Sequence, residues 1–485
     1  MSVMKIKKNA GNLFGKIIAA VLIATAMLPF VAGCSGEPVK LDPKNPITIT
    51  VWHYYNGAIL NAFEESLKEF NETVGLKKGI IVEGRGHGNI GELEKAVISS
   101  ANEEIGSLPV PNIFASYADT AYVAEQLGLL ANLGDYFNKK ELDEYLDSYI
   151  EEGKIGINEE FKILPVAKST EVMMVNETDW LVFAQANNLN YDDLKTIEDV
   201  TKVAKIYYDW SGGKSFFGRD SLANLFIIAS KMFDIEIFAV KNGVGTINTD
   251  KNVMRKIWDN YYVPYISGYF SAYGRFRSDD TKVGDILAYV GSTSSAAYFP
   301  GEVTVDGNSY PVEAKVLPAP LFEGGKKVMI QQGAGMVVTK GTPEEEYASV
   351  IFLKWFTETS KNIEFCGASG YTPVKKEAAN YDLLKSQAEQ SNITIDKITN
   401  EALKTSLTEI KTSELYTNRA FKGGADARTI LQYNLQDKTD ADRAAVLELI
   451  DSGVTHEQAV AQFNTDENFN AWFDSINAKL IDASK

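Results

Sequence analysis

Cysteine is almost missing from the chain, with two in 485 residues, Cys34 and Cys366. Cys34 falls in a polar, flexible stretch and Cys366 has no partner, so disulfides contribute nothing to the fold. Histidine is as scarce, at His53, His87 and His456 only. With no HExxH, no paired-histidine spacing and no CxxC, a metal site built on these residues is not expected. GxSxG is missing too, and three scattered histidines give no local base for a serine nucleophile. "SGGKS" ends like a phosphate loop, but its first glycine would have to stand at Tyr208. "GHGNIG" fits GxGxxG between a strand and a helix, yet Glu92, Glu94, Glu103 and Glu104 follow too early to hold a ribose. No nicotinamide, and no other cofactor, is expected. The paired carboxylates of a secreted glycan hydrolase stay open, because 65 acidic residues always supply pairs and nothing singles out two. Repeats of short period, low-complexity tracts and bilayer-length apolar runs are absent.

What the chain does have begins at its start. The first 33 residues hold Lys5, Lys7, Lys8 and Lys16 with no acidic residue, and Ile17 to Val31 is apolar apart from Thr25 and Pro29. That order is a secretory signal peptide, short of the ~20 residues that cross a bilayer. Val31-Ala32-Gly33-Cys34 resembles the bacterial lipobox, whose cysteine receives diacylglycerol before cleavage leaves it as the first residue. Residues 1–33 are thus the expected lipoprotein signal peptide, Cys34 the lipid attachment, and 34–46, with three prolines, a tether. Losing the four lysines leaves 44 basic against 65 acidic side chains, near −21. Such a surface repels nucleic acid and anionic headgroups, so membrane contact is expected through the lipid alone, on an outer bacterial surface.

From residue 47 strands and helices alternate. "ITITVWHYY", "GIIVEG" and "PNIFASY" have strand character. "GAILNAFEESLKEFNETV", "ELEKAVISSANEE" and "ADTAYVAEQLG" have helical spacing, the first with Ile59, Leu60, Phe63, Leu67 and Phe70 on one face. This argues for a parallel α/β sheet whose ligands sit beyond the carboxyl ends of its strands. After the extended "FKILPVAKSTEVMMVN" come helices "TIEDVTKVAKIYYDW", "LANLFIIASKMF" and "NVMRKIWDNYYVPYISG". Strands "YPVEAKVLPAP" and "KVMIQQGAGMVVTK" and the helix "PEEEYASVIFLKWFTE" follow. Two α/β units joined by more than one crossing, and a polar helical tail from about 374, are expected.

Several residues stand where a polar ligand could be held. Trp52, Tyr54, Tyr55, Tyr117, Tyr298 and Tyr371 fall at strand ends, where a ring can stack on a sugar or join the core. The glycine-rich turn Gly86–Gly91 is either a tight strand–helix connection or a set of N–H groups facing a ligand. Ser292 to Ser295 end an apolar segment and serve either as helix caps or as ligand contacts. Gly333 and Gly335 interrupt a strand, which calls for a close backbone approach or a bulge. Cys366 has the character of a small core side chain.

The lipobox, "ITVWHYYNG", "PVAKSTEVMMVN", "GSTSSAAYF", "QQGAGMVV" and "GYTPV" occur in an order that resembles family 1 extracellular solute-binding proteins, in their sugar and glycerol-3-phosphate branch. The likeness runs over most of residues 47–375. It implies an α/β, two-lobed periplasmic-binding-protein-like fold (type II) with a hinge of crossing strands, ligand in the cleft, and a helical C-terminal extension. Lobe 1 would be 47–164 plus about 333–370, and lobe 2 would be 165–332 plus about 371–485. The implied cleft residues are His53, Tyr54, Tyr55 and Asn56, then Asn89, Tyr117 and Asp119. Lys168 and Ser169, Thr293 and Ser294, Gln332 and Gly333, Tyr371 and the distal Arg419 complete them. Where sugar binders of this group often carry a tryptophan, Phe216, Phe217, Arg219 and Asp220 stand. The resemblance implies a monomeric receptor with no catalytic residue. It would hand a sugar, an oligosaccharide or a polyol phosphate such as glycerol-3-phosphate to ABC permease transmembrane subunits at the outer membrane face. A surface adhesion or sensory module, lacking a closed polar cleft, and the glycan hydrolase are the alternatives.

Overall fold

The structure is a computed structural model and describes residues 39–485; the leader, Cys34 and the start of the tether lie outside the described residues. Alternating β-branched residues build β1 (Ile47–His53), which sinks Ile49 and Val51 fully into the core. α1 (Gly57–Phe70) turns Phe63, Leu67 and Phe70 inward. Each such side chain stabilises the fold by about 1.5–3 kcal/mol. β2 (Ile80–Gly86), α2 (Ile90–Ala101), β3 (Ile113–Ser116) and α3 (Ala118–Gln126) follow. β1 pairs in parallel with β2 and with β3, as the alternation predicts. A short helix, α4 (Asp147–Glu152), leads to the edge strand β4 (Ile163–Leu164).

The chain then crosses at 165–170 into a second sheet. β5 (Glu171–Asn176) is buried along its whole length. α5 (Ile197–Ser211) starts at Thr196, whose hydroxyl accepts from Asp199 N, a cap worth about 1 kcal/mol. β6 (Phe217–Arg219), the almost wholly buried helix α6 (Leu222–Met232), β7 (Ala288–Ser292) and β8 (Ala314–Pro318) complete the unit. The sheet order is β8-β5-β7-β6, with β5 antiparallel to both its neighbours. "YPVEAKVLPAP" proves to be two strands: its first residues close a hairpin at Asn308–Pro311, and the rest is β8.

Residues 327–340 also divide. β9 (Val328–Ile330) stays with the second sheet's side of the molecule, and β10 (Gly335–Val338) joins the first sheet between β3 and β4, antiparallel to both. The first sheet is therefore mixed rather than parallel, because its fourth strand re-enters from the far side. Gly333, at φ +98°, makes the sharp passage between them. A Cβ at Gly335 would lie 2.5 Å from Ile163 Cγ2, so here the missing side chain permits close strand contact. The crossings are stitched together by backbone pairs, Ser169 with Gln332 at 2.8 and 3.0 Å and Lys168 with Thr372 at 3.0 and 2.6 Å.

α7 (Pro343–Phe356) opens on a capping box of Thr342 and Glu345, and α8 (Thr359–Ser369) buries Cys366 in the first lobe's core. Residues 371–376, expected in the second lobe, pack with the first. Tyr371 and Val374 share its core with Tyr145 and Phe365, and Lys375 and Lys376 pair with Glu144 and Asp147. The chain passes over for the third time after this segment, through helix Tyr381–Gln390 to α9 (Lys397–Ile410), which packs on β8. β11 (Glu414–Tyr416) pairs in parallel with β9. The expected helical tail ends in α10 (Gly424–Asp451), packed on α6, and α11 (Asp466–Ala483). Among the described residues no helix is long and apolar enough to cross a membrane.

Candidate ligand-binding cleft

A cleft of about 630 Å³ opens where the carboxyl end of β3 meets the helical tail. The first lobe supplies Glu94 from α2, Tyr117 to Thr120 at the β3–α3 junction, and Glu152 at the end of α4. Gln331 and Gln332, on the second crossing, form the floor. Facing them are Ala223 at the start of α6 and one stripe of α10, Arg428, Thr429, Gln432 and Tyr433. Such a wall forms beyond strand ends because the side chains there are no longer claimed by the sheet.

The polar groups are largely spoken for, and by one another. Arg428 donates from Nη2 to Asn224 Oδ1 at 2.6 Å. The Asn224 amide donates in turn to Glu171 Oε1 and Gln332 Oε1, both at 2.9 Å. These partners fix which way the amide faces. Gln331 Nε2 donates to Glu152 Oε2 at 2.8 Å, and the buried Lys168 ammonium reaches the same oxygen at 2.7 Å. Behind the hinge a second, polar pit of about 390 Å³ is lined by Ser148, Lys231 and Arg419, and again by Glu152 and Gln331.

Gln331 Oε1, buried without a partner, is one exception, and Asp119 is the other. Its Oδ1 is buried without a hydrogen-bond partner, and burial pushes the carboxyl up to about 6. Arg428 opposes that rise, while Glu94 and Glu152 add to it. Burial raises Glu94 as well, against the hydrogen bond it accepts from Thr120 Oγ1. Tyr117 is pushed up to about 12, mainly by burial of its hydroxyl, so it stays a neutral donor.

Of the residues expected from sequence, Tyr117, Asp119 and Gln332 line this cleft. Tyr54, Tyr371 and Ser294 gather in a hydroxyl cluster. Tyr54 Oη lies 3.4 Å from Tyr371 Oη, and Ser294 bonds the Tyr371 hydroxyl from the second lobe. The others are held in the framework. His53 is buried against Tyr55 and Phe63, and burial, with His87 adding, lowers it to about 4, so the ring is neutral. Tyr55 belongs to the same core. Asn56 ties the loop to Gly88 O at 2.5 Å, and Asn89 caps α2. Lys168, Ser169 and Gly333 make the hinge, Lys168 Nζ donating to Gly333 O at 2.8 Å. Thr293 is wholly buried, its N–H on Thr170 O. Arg219 is ion-paired with Glu171 at 2.5 Å, Asp220 accepts from Arg277 N, and Phe216 and Phe217 are core. Arg419 is engaged by Glu151 and Glu159 at 2.8 and 2.7 Å.

Sequence reasoning missed Glu94, Thr120, Glu152, Gln331 and the α10 stripe. Ala425, Arg428, Thr429, Gln432 and Tyr433 recur at helical spacing, one face of a tail expected to be helical and polar but given no ligand contact other than Arg419.

Two α/β lobes, stitched at a hinge around a polar cleft, define a two-lobed solute receptor. The chain belongs to the bacterial extracellular solute-binding protein family, whose description matches residues 65–392. Proteins of this family bind solutes outside the cytoplasm and work with ABC permeases. Among solved structures, the cyclic alpha-maltosyl-1,6-maltose binding protein from Arthrobacter globiformis superposes with a TM-score of 0.65 at 18% identity, covering 90% of this chain and 99% of that one. An ABC substrate-binding protein from Listeria monocytogenes, in complex with cycloalternan, gives 0.62 at 13%, with 90% and 99% covered. UgpB from Mycobacterium tuberculosis, in complex with glycerophosphocholine, gives 0.61 at 16%, again over 90% and 99%. No curated protein matches the chain.

Proposed function

We propose that the chain is a monomeric receptor, lipid-anchored through Cys34, that captures a neutral carbohydrate in the 630 Å³ cleft and delivers it to the transmembrane subunits of an ABC importer. The observation that carries the ligand class is the charge of the lining. Glu94, Asp119 and Glu152 stand against a single arginine, Arg428, which is already bonded to Asn224. Hydroxyl groups donating to carboxylates make hydrogen bonds about twice as strong as neutral pairs. A phosphate, with its charge of about −1.5 to −2, would meet those carboxylates with like charge. Tyr117 and Tyr433, 38% and 57% exposed, offer ring faces for the apolar side of a sugar. The structural neighbours named for cyclic maltosides and cycloalternan favour the same reading.

A polyol phosphate is the second reading, favoured by the neighbour that holds glycerophosphocholine. A glycan hydrolase finds less support, because the three carboxylates lining the cleft come from one lobe and do not oppose each other across it. By this reading the division into lobes follows the hinge at 165–170 and 331–334, with the third passage after residue 376.

Thermal-shift and calorimetric titration with maltodextrins, cyclic glucans, mannans, glycerol-3-phosphate and glycerophosphocholine separates the readings. A neutral saccharide is expected to bind, and at 100 times its dissociation constant it adds ~2.7 kcal/mol of stability. Binding by the phosphate compounds alone would move the assignment to the second reading. No binding by either group would sink the receptor claim.

A further inference from the structure

Between the second sheet and α6 lies another cavity, of about 410 Å³, that shares no lining residue with the cleft. Its walls are apolar, formed by Leu225, Ile228 and Met232 of α6, Leu317 of β8 and Phe322. Lys195 and Lys327, 70% and 41% exposed at their side chains, border it where it meets solvent. Its inner end is polar and incompletely paired. Arg219, only 8% exposed, gives Nη2 to Glu171, but its Nε–H has no partner. Thr170, 1% exposed, has an unpartnered hydroxyl, and both residues border the cavity. An apolar chamber bordered by two buried residues with unused donors is suited to a ligand with an apolar body and one oxygen at its tip.

We propose that this cavity is a second binding site, for an uncharged, single-chain amphipathic molecule of the medium-chain alcohol class. The alkyl body runs along α6 and β8, and the terminal oxygen accepts from Arg219 Nε–H and exchanges a hydrogen bond with Thr170. The oxygen has to be neutral because Glu171 already balances the guanidinium. An added carboxylate would lie beside Glu171 with no cation left to pair it. The site shares no lining residue with the cleft, and Asn224 links the two by bonding Glu171 here and Gln332 there.

The test uses the purified protein labelled with ¹³C-methyl methionine and titrated with 1-octanol. Met232 and Met329 line the cavity, whereas Met254 and Met336 do not. Saturable shifts of Met232 and Met329 alone are expected. Sodium octanoate is expected to bind at least tenfold more weakly than 1-octanol, and Ala229→Leu, which fills the chamber from α6, to abolish the shifts. The wild-type titration decides by itself if that variant does not fold. No shift at Met232 and Met329, or a movement of their methyls together with those of Met173, Met174, Met254 and Met336 in proportion to the alcohol without saturation, overturns the site. Octanoate binding as tightly as octanol overturns the neutral oxygen.

Discussion

Asp119 sits in the free protein at a cost. Its carboxyl, pushed up to about 6 from 3.8, binds a proton more readily in the folded chain than in the unfolded one. Between those values the native state holds more protons, so stability falls as pH rises, and the full cost is present above about 6. Asp119→Asn is therefore expected to stabilise the empty protein at pH 7 by roughly 1–2 kcal/mol, with the gain vanishing below about pH 4. Paired urea titrations across pH measure it. The same change is expected to weaken saccharide binding at pH 7, because a carboxylate acceptor becomes an amide. Wild-type affinity should itself fall as pH drops through about 6. Arg428→Gln tests the opposite wall. It removes a charged donor from Asn224, and a loss of about 1.5–3 kcal/mol in stability is expected, read as a lower urea midpoint.

At the scale of elements the hinge rests on a buried pair. Lys168→Met strips Glu152 and Gly333 O of their cation, and a cost of about 3 kcal/mol is expected, seen as a lower urea midpoint with an unchanged slope. Most elements are legible in the sequence alone. "ITITVWH" and "TIEDVTKVAKIYYDW" carry their periods so strongly that strand and helix fall within a few residues of expectation. Where local signal failed, a non-local fact had won. "KVMIQQGAGMVVTK" has one strand's composition, but its halves belong to different lobes. The antiparallel entry of β10 depends on a return through the hinge, which no window of sequence encodes. The site was harder still. Tyr117, Asp119 and Gln332 could be placed because they follow strands, whereas Arg428 reaches the cleft only because a 28-residue helix more than 300 residues after β3 folds back to α6. His53 illustrates the opposite error, a polar residue at a strand end that turns into the core.

For the whole molecule, the lobes meet through a narrow set of strands, so ligand is expected to shift the population toward a closed form. Small-angle scattering with saturating saccharide should give a smaller radius of gyration, and Asp119→Asn should need more ligand for the same change at pH 7. Cys34→Ser is expected to move the protein from the membrane fraction into the medium without changing its affinity. The hinge itself has one further property. Glu152 and Gln331 belong both to the cleft and to the pit behind it, so the partition between them is a single layer of side chains. A guest that fills the front covers one face of that layer, while the rear face still borders the pit. Lys168 is already buried in the free protein, so loading and release change the surroundings of this pair on the Glu152 side alone, where the carboxylate also borders the rear pit.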